Sequence, residues 1–220
     1  MLKAVLFDLD GTLIDTAADL LGTLDEVRAE LGLPVCAGSL PPAVAARGGR
    51  GILALGFPGD PDVVERLLPR YLELYAARLT RCSHPYEGID GLLSALSARG
   101  IVSAIVTNKP EALARRLLDE LGWSWRFAAL VGGDTLAVRK PAPEPVWHAC
   151  AALGLSPSQT AMVGDDRRDI EAGRAAGCTL TVAAAYGYLE DPDEVHGWGA
   201  DRIAATPFDL RTLLLDADFR

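Results

Sequence analysis

The sequence predicts an α/β fold: a parallel sheet covered by helices on both faces, interrupted after its first strand by an all-helical insertion. Three observations carry this reading. From Gly88 to Val182 apolar runs of strand length alternate with helical stripes. The runs are almost continuously apolar, as strands buried on both faces must be. Between Ile14 and Pro85 the alternation lapses, and only helical periodicity is left.

The first strand is Ala4-Val5-Leu6-Phe7, and it stops at Asp8, Asp10 and Gly11. Asp15 or Thr16 then caps a helix whose stripe is Leu20, Leu24, Val27 and Leu31. A segment rich in glycine and arginine follows, Arg47-Gly48-Gly49-Arg50-Gly51. Asp60 and Pro61 open a second helix, with Val64, Leu67, Leu68, Tyr71 and Tyr75 on one face. Pro69 falls inside it and is expected to kink or split it. The core resumes with a helix through Leu92, Leu93 and Leu96 that ends at Gly100, then a strand over residues 101–106. Pro110 opens the next helix, Leu113, Leu117 and Leu121 form its stripe, and Gly122 ends it. Strands at 128–131, 160–163 and 179–183 alternate with helices at 145–153 and 168–176. A last strand at 201–204 and a helix at 207–215 close the chain. The expected division is a core of residues 1–13 and 86–220, with residues 14–85 as the insertion.

Composition narrows the function. At 220 residues the chain is long enough for one large domain, or a core with a modest insertion. Its 30 acidic residues outnumber 21 Lys and Arg, a net charge of -9. That balance argues against nucleic acid and anionic membrane as partners, because a phosphate backbone needs a basic footprint. A small phosphate remains possible, since a bound divalent cation reverses the local sign. Cys36, Cys82, Cys150 and Cys178 lack metal-ligand spacing, and three sit among apolar neighbours, so buried thiols in a reducing cytosol are expected. Asp8 and Asp10 interrupt the first apolar stretch, which is therefore no signal peptide, and no segment is apolar enough to span a bilayer. A soluble, cytoplasmic protein is expected.

In a doubly wound sheet, ligands sit beyond the carboxyl ends of the strands. Four polar groups fall there: Asp8 with Asp10, Thr107 with Asn108, Lys140, and Asp165 with Asp166 and Asp169. Singly, each has a structural explanation as a turn residue, a helix cap or a solvated lysine. Together they crowd negative charge. Two like charges about 4 Å apart cost about 4 kcal/mol at an effective dielectric of about 20. Hard oxygen ligands of this kind suit Mg²⁺. With the charge neutralised, an Asp carboxylate can attack phosphorus and form an aspartyl-phosphate. The Thr107 hydroxyl and the backbone N–H groups near Asn108 can hold phosphate oxygens. Lys140 offsets both the nucleophile and the phosphoryl charge.

These residues match a known pattern. Asp8-Leu9-Asp10-Gly11-Thr12, Thr107-Asn108, Lys140-Pro141 and Gly164-Asp165-Asp166 with Asp169, in that order, resemble the motifs of the haloacid dehalogenase-like hydrolase superfamily. The resemblance spans essentially the whole chain. It implies a Rossmann-like core and a helical cap of the C1 type inserted after the first motif. It implies Asp8 as nucleophile and Asp10 as general acid, then general base. It also implies Mg²⁺ held by the Asp8 carboxylate, the Asp10 carbonyl and Asp165, with Asp166 and Asp169 supporting the metal's waters. Leu9, Gly11, Thr12 and Asn108, with Arg47 and Arg50 from the insertion, are the expected phosphate and substrate contacts. Within the superfamily, Val106-Thr107-Asn108-Lys109-Pro110 and residues 164–173 are similar to bacterial phosphoglycolate phosphatases. Tyr186-Gly187-Tyr188 and Trp198-Gly199-Ala200-Asp201 are similar to a branch acting on N-acetylmuramic acid 6-phosphate. The expected partner is thus a small phosphorylated metabolite. A sugar phosphomutase and a non-enzymatic phosphoaccepting receiver module are the rival readings.

Overall fold

The computed structural model describes residues 2–60 and 62–215. In chain order its elements are β1 (Ala4–Phe7), β2 (Ile14–Asp15), α1 (Ala17–Glu30), α2 (Gly48–Gly56), α3 (Val63–Ala76), β3 (His84–Pro85), α4 (Ile89–Ala98) and β4 (Val102–Val106). They continue with α5 (Glu111–Glu120), β5 (Leu130–Val131), α6 (Glu144–Leu153), β6 (Thr160–Gly164), α7 (Arg167–Ala176), β7 (Leu180–Ala184), β8 (Arg202–Ala204) and α8 (Pro207–Leu215).

Six strands form one parallel sheet in the order β5-β4-β1-β6-β7-β8. The strand order reverses at β1, which pairs with β4 on one side and β6 on the other. Phe7 lies level with Ile105 and Val163. Because the strands run the same way, Asp8, Thr107 and Asp165 emerge close together on one edge.

Alternation within each strand divides the core. Val5, Phe7, Ile105 and Val163 face a cluster that includes Leu92 and Leu96 of α4, Leu117 of α5 and Leu210 of α8. Leu6, Ala104 and Met162 face Val146 and Ala149 of α6 and Ala172 of α7. Helix α7 lies close to β6: a Cβ on Gly173 would come within 2.6 Å of the Met162 Cβ. That closeness brings the start of α7, with Asp166 and Asp169, down onto the sheet edge.

The helical insertion is entered through β2 and left through β3. These two short strands pair antiparallel, Ile14 with Pro85 and Asp15 with His84. Helices α1, α2 and α3 pack on one another, and the Tyr71 hydroxyl donates to the Leu20 carbonyl at 2.7 Å. Asp19, fully buried, accepts from the Cys82 N–H at 2.9 Å, the Ser83 N–H at 2.8 Å and the Ser83 hydroxyl at 2.7 Å. It ties the outgoing chain to the returning one.

Several expectations are corrected. Pro69 does not split its helix: α3 is continuous, held by Tyr71 and Tyr75 buried on its inner face. Pro61 lies outside the described residues. The Arg47–Gly51 segment, for which no helix is expected, opens α2, because burial of Ile52 and Leu53 overrides the poor helix propensity of three glycines. At the start of α1 the Thr16 side chain does not cap; the Ala17 N–H donates to the Asp15 carboxylate at 3.1 Å. Leu31 lies beyond α1 and is half exposed. Of the cysteines only Cys150 is buried, Cys36 and Cys178 are partly so, and Cys82 is exposed. No helix among the described residues is long and apolar enough to cross a membrane.

Asp19→Ala would leave the Cys82 and Ser83 N–H groups and the Ser83 hydroxyl without this acceptor, and would remove the ion pair with Arg78. A loss of about 3 kcal/mol in unfolding free energy is expected, read from urea denaturation.

Candidate active site

Asp8 follows β1 directly, and its N–H donates to the Val163 carbonyl at 2.9 Å, so β6 fixes where its side chain starts. Lys140 comes from the loop after β5, just before a cis peptide to Pro141. Its buried ammonium lies 2.9 Å from the Asp8 Oδ1, 2.5 Å from the Asp169 Oδ1 and 2.6 Å from the Val106 carbonyl. Burial pulls Lys140 toward the neutral form, but the Asp169 and Asp8 carboxylates outweigh it and hold the ammonium above its ordinary pKa.

Asp165 closes the other side. The Thr12 hydroxyl donates to its Oδ1 at 2.8 Å, and the Tyr188 N–H to its Oδ2 at 2.9 Å. Gly11 makes the fit possible: its φ is +81°, and a Cβ there would stand 2.0 Å from the Asp165 Oδ2. One oxygen each of Asp8, Asp165 and Asp169 lie within 4.8 Å of one another. Burial, then the charges of Asp8 and Asp169, push Asp165 well above the usual carboxylate range. Burial likewise raises Asp169 to about 7 against the pull of Lys140.

Three carboxylates face one ammonium, which leaves two negative charges in a buried pocket. An all-oxygen donor set with a deficit of two charges fits a hard divalent cation. Asp166 stands apart from this set. It caps α7, accepting from the Arg168 N–H at 2.8 Å, and binds the Arg168 guanidinium through both oxygens at 2.7 Å. Burial raises its pKa, but Arg168 more than compensates and holds it low.

Asp10 shares the pocket with Asp8 and is bound differently. Lys109 donates to its two oxygens at 2.9 and 3.2 Å, and the Thr16 hydroxyl to Oδ1 at 2.8 Å. Thr107 faces the pocket, with its Oγ1 accepting the Lys109 N–H at 3.2 Å. The Asn108 amide donates to the Lys140 carbonyl at 3.0 Å, while its buried Oδ1 has no partner among the described residues.

The cavity over these groups encloses about 220 Å³. Leu20, Leu68, Tyr71, Leu72 and Tyr75 of α1 and α3 wall it on the helical side. Arg47 and Arg50 do line it, each already paired: Arg47 with Glu190 and Arg50 with Glu65. Leu9, Gly11 and Thr12 are not among the residues that line it. Leu9 is buried in the core, the Thr12 hydroxyl is spent on Asp165, and Gly11 serves as the space that Asp165 occupies.

Lys109, Tyr75, Thr16 and Tyr188 were not legible as site residues. Lys109 sits beside Thr107 and Asn108, so a second lysine at a strand end was the available signal. Tyr188 belongs to the Tyr186-Gly187-Tyr188 run, which is built into the site: the Tyr186 hydroxyl donates to the Thr12 carbonyl at 2.9 Å. Tyr188 donates its hydroxyl to Asp15 at 2.9 Å and accepts from the Thr16 N–H.

Buried carboxylates and a lysine thus meet at the switch point of a parallel doubly wound core. Residues 5–183 match the family model described as haloacid dehalogenase-like hydrolase. The chain belongs to that family. It is 44% identical over 207 residues to a phosphoglycolate phosphatase of Xylella fastidiosa, covering 93% of this chain and 90% of the relative. It is 41% identical over 215 residues to an N-acetylmuramic acid 6-phosphate phosphatase of Pseudomonas aeruginosa, covering 97% and 95%. Among solved structures, that of a predicted phosphoglycolate phosphatase from Haemophilus somnus superposes with a TM-score of 0.83 at 27% identity, covering 97% of this chain and 98% of the other.

The raised carboxylates set a pH dependence. Asp169 binds its proton more tightly folded, at about 7, than at its ordinary 3.8, so its own contribution to metal-free stability is greatest at acid pH. That contribution falls as pH rises between those two values, where the unfolded chain releases the proton and the folded chain still holds it. A divalent cation removes the penalty. Thermal melts are therefore expected to show a larger rise in Tm on adding Mg²⁺ at about pH 8 than at about pH 5, with EDTA reversing it.

Proposed function

We propose that this chain is a Mg²⁺-dependent phosphatase that hydrolyses a small phosphate monoester through an aspartyl-phosphate on Asp8. The observation that carries the reading is the Asp8–Lys140–Asp169 arrangement beside Asp165. Lys140 stands in an ion pair with the Asp8 carboxylate, which attacks phosphorus while the bond to the alcohol oxygen breaks. Asp10 gives its proton to that leaving oxygen. It then takes one from the water that attacks the aspartyl-phosphate, releasing inorganic phosphate and restoring Asp8. Thr107 and the amides at the start of α5 receive the phosphoryl oxygens. Asp8, Asp165 and the Asp10 carbonyl, with Asp169 alongside, would hold Mg²⁺, which when bound would supply positive charge that lets a dianion approach this acidic pocket.

Residues 14–85 serve as a cap that closes the cavity and excludes water. The relatives' names offer two substrates, phosphoglycolate and N-acetylmuramic acid 6-phosphate. We take phosphoglycolate as the first candidate. The apolar wall of Leu20, Leu68, Tyr71 and Leu72 favours testing the second beside it, since phosphoglycolate has no apolar group to set against that wall and the sugar's lactyl and acetyl methyls do. With four unpaired cysteines, a reducing cytoplasm suits the protein.

Asp8→Asn is expected to lower kcat on p-nitrophenyl phosphate by about 10⁴-fold or more, and EDTA to abolish turnover. Labelling of the protein once, without continuous phosphate release, would overturn the phosphatase reading. Ranking the two natural candidates by kcat/KM decides between them.

A further inference from the structure

Lys109 is used by none of the steps above, yet it is one of the most constrained charges in the molecule. It is 7% exposed and lies beside the motif threonine, where a solvated lysine would be ordinary. Its ammonium meets Asp10 at 2.9 and 3.2 Å, the Tyr75 hydroxyl at 2.6 Å, and the face of the Tyr75 ring at 4.4 Å. A buried ammonium needs its donors taken up. Here the takers come from two different parts of the chain: Asp10 from the loop after β1, and Tyr75 from α3 of the insertion.

We propose that Lys109 is a positioning residue that fixes the Asp10 carboxylate for proton transfer and ties that position to the docking of α3 through Tyr75. A carboxylate on a short loop has free torsions, and a donor bridging both oxygens fixes its plane. The Thr16 hydroxyl fixes one edge of the same carboxylate, so Lys109 sets the remaining freedom. Tyr75 completes the device. With α3 docked, Lys109 has the Tyr75 hydroxyl and ring as partners besides Asp10. With α3 withdrawn, the ammonium loses both, and Asp10 loses its fixed partner. Proton transfer is then competent only over a covered cavity. The role rests on the reading of Asp10 as general acid.

Leaving-group chemistry separates this role from a structural one. An alkyl phosphate needs a proton on its leaving oxygen, whereas 2,4-dinitrophenolate leaves without one. With kcat/KM reporting phosphoryl transfer to Asp8, Lys109→Met is expected to lose about 100-fold on phosphoglycolate and no more than about 5-fold on 2,4-dinitrophenyl phosphate. Tyr75→Phe keeps the ring but removes the acceptor, and is expected to lose roughly 10-fold on the alkyl substrate alone. Should Lys109→Met not fold, Tyr75→Phe and Lys109→Arg carry the same comparison. Equal losses on both substrates, or none, overturn the proposal. Asp10→Asn is the control. Without leaving-group discrimination there, the Asp10 assignment falls and this role with it. Discrimination in Asp10→Asn but not in the Lys109 variants overturns the Lys109 role alone.

Discussion

Unbalanced negative charge, buried where the central strands end, is the constraint on which the rest of this molecule depends. Asp165 and Asp169 are almost wholly enclosed, and Asp8 joins them within a few ångströms. Carboxylates at such distances repel by several kcal/mol each, an appreciable share of the roughly 5–15 kcal/mol that holds a domain folded. Among the described residues the fold answers with one ammonium and three hydrogen-bond donors. Thr12 and the Tyr188 amide satisfy Asp165, the Asp166 amide satisfies Asp169, and Lys140 spans Asp8 and Asp169. What is left is a site that prefers either protons or a divalent cation. The same deficit of positive charge is what suits these three carboxylates to the proposed divalent cation.

The local charges around this centre are arranged in pairs that do not compete with it. Asp166 is bound to Arg168, and Asp10 to Lys109. Arg168 also donates to the Ala46 carbonyl at 2.8 Å, while Arg47 meets Glu190 on the tail loop. Each pair joins the helical insertion to the core or stands beside such a joint. Tyr188 does both jobs in one residue, with its amide on Asp165 and its hydroxyl at the entry to α1. The chemistry of the pocket and the seating of the insertion therefore share their hydrogen bonds.

The parallel core was legible because burial on both faces imposes unbroken apolar runs, and the candidate site because so many polar groups follow those runs on one edge of the sheet, where turns and caps account for each singly but not for all together. Most strand and helix limits fall within a residue or two of those expected. The misses have common physical causes. Pro69 sits in a continuous helix and three glycines open α2 because tertiary packing outweighed local propensity. Leu9, Gly11 and Thr12 belong to the motif through what they do for Asp165 and the core, which motif spacing does not distinguish from contact with a ligand.

By itself, then, the sequence determined the class of fold, the strand-end acids, Thr107 and Lys140, since each is fixed by periodicity and by position relative to a strand. Only the tertiary structure decided which charges pair. Lys109 and Lys140 are both lysines near strand ends, yet one meets Asp10 and Tyr75 and the other Asp8 and Asp169. The difference arises from strand order and from where α3 docks. These contacts join positions as far apart in the chain as Asp8 and Lys140, and no local pattern encodes them.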